Sequence, residues 1–164
     1  MPSVLTNHTR SRSAFTLIEV VTMVLVLAIA VPPTLEILMS NAASRANVIN
    51  TSRATMLASN VLEGIMADVA SADASLGFEA LADAPAYLST PSTGFYARMQ
   101  APNQSYLDLG LGYTVEIGEL VGSTGVVSAT PSENIFRTIT VTVAYPSADG
   151  PSYALPVSVM VSDL

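Results

Sequence analysis

Cysteine and lysine are both absent from this chain of 164 residues, and histidine occurs once. Without cysteine there is no disulfide frame, no thiolate nucleophile, no Cys-ligated zinc and no iron–sulfur cluster. Without lysine there is no Schiff base and no P-loop lysine. His8 precedes the hydrophobic segment, which removes a Ser-His-Asp triad from the folded body. Charge is scarce as well: 12% of residues are charged while 50% are apolar, against about a quarter charged in ordinary soluble domains. Six arginines face 13 acids, for a net charge of −7. An acidic body without clustered cations cannot neutralise phosphates and is a poor direct partner for nucleic acid. The expectation is a single domain that is not an enzyme, carries no metal and needs no cofactor.

The apolar excess has a local source. Residues 1–14, MPSVLTNHTRSRSA, are polar, lack acids and carry Arg10 and Arg12. From Phe15 the chain reads FTLIEVVTMVLVLAIAVPPTLEILM, and the stretch from Phe15 to Leu35 holds one ionisable residue, Glu19. As a helix that stretch spans roughly 31 Å, the thickness of a bilayer core. The arginines lie ahead of it and the next basic residue is Arg45, so the positive-inside rule puts the N-terminus in the cytoplasm. Ala28-Ile29-Ala30 also matches a signal-peptidase pattern, which keeps open an ordinary exported or membrane-anchored binding domain. Glu19 separates the two. A carboxylate one turn inside a membrane helix costs a few kcal/mol. A signal peptide has no use for it, whereas a retained helix can supply it with a cationic partner.

The string SAFTLIEVV resembles the N-terminus of type IV prepilins and type II secretion pseudopilins. In that family a short basic leader ends in a small residue, followed by cleavage, Phe-Thr-Leu-Ile-Glu and an apolar run. The resemblance covers about 25 residues. It implies a leader ending at Ala14, where the family normally has glycine, and a mature chain starting at N-methylated Phe15. Glu19 then occupies the place of the family's glutamate. It further implies a prepilin peptidase, an inner-membrane assembly platform and other pilin or pseudopilin subunits as partners. The chain would wait as a single-pass inner-membrane protein and end in a periplasmic or cell-surface filament. Type IV pilins mostly carry a C-terminal disulfide, and its absence here leans toward a pseudopilin or minor pilin. The Thr/Val-rich ending FRTITVTVAYP…ALPVSVMV is also similar to minor subunits.

Inside the helical pattern, Pro32-Pro33 predicts a break, as a kink or local melting, read either as the end of the span or as a flexible joint. Helical character resumes through residue 70, with Leu57, Val61, Ile65 and Val69 on one stripe, Leu62 and Met66 beside it, and Asn60, Glu63 and Asp68 on other faces. Gly64 reads either as a close approach to a sheet or as a tolerated defect. Arg45 and Arg53 read as solvated side chains or partners of a neighbouring subunit's acids. Residues 71–112 read as loop, with one short helix over 78–84, because Pro85, Pro91, Gly94 and Pro102 punctuate them. Asp68, Asp73, Glu79 and Asp83 make the region acidic, but it holds no calcium-loop pattern.

The last third alternates with period two in Tyr113–Leu120, Ile135–Tyr145 and Tyr153–Val161, with turns at 122–125 and 146–151. A short strand at Val126-Val127 would make a fourth. The expected fold is α+β and pilin-like: a long N-terminal helix packed on a C-terminal antiparallel sheet of three or four strands. Its parts are a leader (1–14), an assembly helix (15–39), an amphipathic continuation (40–70), a variable region (71–112) and the sheet (113–164). Arg137 falls at the sheet end, and Glu116 and Glu119 do not converge as a catalytic pair. The function that follows is a structural filament subunit.

Overall fold

The structure, a computed structural model, describes residues 16–73, 75–148 and 150–163. Its elements in chain order are helices α1 (Leu17–Val69), α2 (Gly77–Ala80), α3 (Ala84–Ser89) and α4 (Phe95–Leu107), then strands β1 (Gly112–Val121), β2 (Phe136–Tyr145) and β3 (Tyr153–Ser162). By internal contacts the chain divides into two units at Ala42/Ala43.

In the second unit the fold is α+β. Strands β1, β2 and β3 form one antiparallel sheet in that order, and the pairing of the last two brings Tyr145 opposite Tyr153 and Phe136 opposite Ser162. The alternation does what the period predicts. Val115, Ile139, Val141, Val143, Tyr145 and Val161 are buried, with Ile117, Leu155, Val157 and Val159 packed against them. Thr140 faces the other way, its hydroxyl bonded to that of Ser158 at 2.8 Å. The cover is the stripe of α1 formed by Ala54, Leu57, Ala58, Val61 and Ile65, all essentially inaccessible. Three strands satisfy the sheet. Val126 and Val127 lie exposed in the β1–β2 connection, so the fourth strand does not form.

Two expectations about local structure need correction. Residues 71–112 hold three helices, not a loop with one. The proline and glycine signals were real but act as boundaries. Asp83 caps α3 by accepting from the Ala86 N–H at 3.1 Å, with Pro85 in the first turn. Gly94 precedes α4, where an added Cβ would sit 2.6 Å from the Thr90 backbone. Pro102 lies inside α4. Its cost of about 3 kcal/mol is offset by burial of Phe95 and by packing of Tyr96, Met99 and Tyr106.

The helix does not melt at Pro32-Pro33: α1 stays helical through both. Proline's fixed φ suits a helix, and the penalty is local. It leaves the carbonyls of Ala28 and Ile29 without their helical donors, while the Thr34 hydroxyl bonds to the Val31 and Ala30 carbonyls at 2.7 and 3.2 Å.

Candidate functional site

The first unit is built around one helix start. Thr16 precedes α1, and the Glu19 N–H donates to the Thr16 carbonyl at 3.0 Å and to its hydroxyl at 3.4 Å. This is one half of a Thr-x-x-Glu capping box, a signal present in the sequence and passed over there. It fixes Glu19 as the third residue of α1, one turn in. The Thr22 hydroxyl donates to the Glu19 carbonyl at 2.9 Å. The Glu19 carboxylate is exposed and has no partner among the described residues. Ala14 and Phe15, the expected cleavage and methylation positions, lie outside the described residues.

Apart from Thr16 and Thr22, the described side chains around Glu19 are apolar and exposed. The large apolar side chains from Leu17 to Met39 are 44% to 85% exposed and occur on every side of the helix. A helix apolar all round belongs in a membrane or in the interior of an assembly. This one is long and apolar enough to cross a membrane. Burying each such side chain gains about 1.5 kcal/mol or more, so the segment gains tens of kcal/mol by leaving water. That exceeds the few kcal/mol a single carboxylate costs. Transfer of the segment out of water is therefore favourable even with Glu19 in it.

A second polar constellation lies in the second unit, and sequence reasoning misplaced it. The apolar periodicity assigns Asp68 to an outer face of α1, yet it is buried. Seven residues after Val61 and three after Ile65, it shares their side of the helix. Arg98 of α4 clamps it with two parallel bonds, Nη1 to Oδ1 at 2.8 Å and Nη2 to Oδ2 at 2.6 Å. The Tyr87 hydroxyl of α3 donates to Oδ2 at 2.6 Å. Arg98 Nε donates to the Thr93 carbonyl at 3.0 Å, and its guanidinium sits 5.7 Å from the centre of the Phe95 ring. Burial and then the bond to Asp68 push the Tyr87 hydroxyl far above its ordinary range. The hydrogen bond to Asp68 raises Arg98. Every oxygen of the carboxylate is used, so the group braces α1, α3 and α4 together.

The remaining candidates are placed as follows. Asp73 accepts from the Ser75 N–H and hydroxyl, which lowers its pKa. Glu116 and Glu119 are exposed, the latter in the irregularity of β1 between Ile117 and Leu120. Arg137, near the start of β2, donates to the Gly118 carbonyl at 3.1 Å and lies 5.8 Å from the centre of the Phe78 ring. Gly64 does approach closely, but toward Met99 and Phe95 of α4. Among the described residues no three metal-ligating side chains converge.

No family model, no curated protein and no solved structure matches this chain.

Proposed function

We propose that this chain is a structural minor subunit of a type IV pilus-like or type II secretion pseudopilus filament. The observation that carries the reading is the coincidence of the Ala14-Phe15 junction with Glu19, one turn into the exposed apolar segment of α1 over residues 17–39. Such a helix has two uses in succession, a lipid environment before assembly and a bundle of like helices after it. Cleavage between Ala14 and Phe15 by a prepilin peptidase frees an α-amine, and methylation follows at Phe15. In the assembled bundle Glu19 faces the amine of a neighbouring copy. An ion pair about 4 Å long is worth ~4 kcal/mol at an effective dielectric near 20, comparable to the cost of holding the acid among apolar side chains. A lone subunit is thereby penalised and an assembled one is favoured. The inner-membrane platform extracts the subunit, and the acidic second unit remains on the periplasmic or outer side.

The test is the N-terminal mass of the protein recovered from its own envelope. N-methyl-Phe15 as the first residue is the expected result. A first residue of Val31 would instead assign an ordinary signal peptide and an exported binding domain. Ala14→Gly leaves cleavage unchanged or faster; slower cleavage would contradict the assigned junction.

A further inference from the structure

Within the second unit, α1 has a face opposite its buried stripe. At 100° per residue, Arg45, Ser52, Met56, Ser59 and Glu63 fall within a sector of about 60° on that face. All five are exposed. Arg45 stands at one end and Glu63 at the other, about five turns and 27 Å apart. Neither has a side-chain partner among the described residues. Arg53 differs: it is half-buried and reaches Asn50 at 3.5 Å. Between the two charges the stripe is small or apolar, with Met56 55% exposed and the two serines, Ser52 and Ser59, offering little bulk. Small residues let two helices approach to about 8–10 Å.

We infer that this stripe is a contact between copies of the chain, in which Arg45 of one copy meets Glu63 of the next, with an axial offset of about 27 Å. The inference rests on the filament reading above and supplies its register. Copies inserted in one membrane run parallel, so a side-by-side arrangement would set Arg45 against Arg45 and Glu63 against Glu63. Sliding one copy by five turns exchanges both like-charge contacts for an opposite pair. The offset contact is head-to-tail: each copy uses Glu63 toward one neighbour and Arg45 toward the other, which propagates without closing.

The chain contains no cysteine, which makes the test direct. A disulfide needs Cα atoms within about 7 Å, so thiols at positions 45 and 63 of one helix cannot join. The full chain carrying Arg45→Cys and Glu63→Cys together, oxidised in cells, gives a ladder of multimers with 45–63 linked peptides. Each single variant gives at most dimers. In parallel, Arg45→Glu or Glu63→Arg alone lowers the sheared filament fraction roughly five- to tenfold, and the double exchange restores it. Dimers without a ladder, or single charge reversals that assemble like the parent, would overturn this register while leaving the filament reading intact. A parent chain that never enters a sheared filament would overturn both.

Discussion

Asp68 is buried, and three donors converge on its carboxylate. Removing one partner of a buried pair costs more than the pair contributes, since the other charge is left unpaired. Arg98 is itself partly exposed, so Arg98→Ala should lower the unfolding free energy by about 2 kcal/mol, read by urea titration. Tyr87→Phe should cost about 1.5 kcal/mol, one hydrogen bond to a charged acceptor. Its pH dependence has a fixed sign. The folded body holds the Tyr87 proton above the ordinary tyrosine range, as burial does for Tyr113. Above about pH 10 the unfolded chain releases these protons and the folded one does not. Stability is thus fully present below that pH and declines above it, and Tyr87→Phe should flatten part of the decline. An unchanged slope between about pH 8 and 11 would contradict the assignment.

Gly64 is a contest between two effects at one residue. Alanine gains about 1 kcal/mol of helix propensity, while its Cβ would meet the end of Met99 at 3.1 Å. That end is a flexible thioether which can move by a few tenths of an ångström. Gly64→Ala should be neutral or stabilising by up to about 0.5 kcal/mol, and Gly64→Leu should cost about 2 kcal/mol or more. A loss above about 1 kcal/mol for alanine would mean that Met99 is pinned.

At the scale of elements, the strands and the buried stripe of α1 were legible because each follows one period. Leu57, Val61 and Ile65 recur every four residues, and Ile139, Val141 and Val143 every two. The helices of residues 71–112 were not, because their signals are short and their cohesion is tertiary. Pro102 reads as a breaker until Phe95, Tyr96 and Met99 are seen holding α4 in place. Asp68 was hidden for the same reason: an acid on an amphipathic helix reads as solvent-facing unless its distant arginine is known. The proline pair in α1 does not melt the helix, which continues through both residues. The two asparagines that fasten the β2–β3 turn to α1 left no signal either. Asn50 donates to the Pro146 carbonyl at 3.0 Å, and Asn47 accepts from the Ala148 N–H at 2.9 Å. Because these ties and the core all lie after Ala42, a chain beginning at Ala43 should fold without cofactor. Circular dichroism with helix and strand signals, unchanged by a chelator, is the expected result; loss of structure on chelation would reveal a metal requirement.

At the scale of the whole molecule, the two units treat their apolar surface differently. The described residues from Ala43 on build the buried core, whereas the large apolar side chains of residues 17–39 stay exposed. Glu19 belongs to the second set. It contributes nothing to the core that α1 builds with the sheet, so its loss should spare folding and ease insertion. On the proposed filament reading, its loss strands a neighbour's amine among apolar side chains. The most direct measurement is the amount of Glu19→Ala chain in sheared filaments, set against its amount in the membrane. The account predicts normal membrane levels, an unchanged body by circular dichroism, and near-complete loss from the filament, with Glu19→Asp intermediate. Assembly of Glu19→Ala at the parent's level would contradict it.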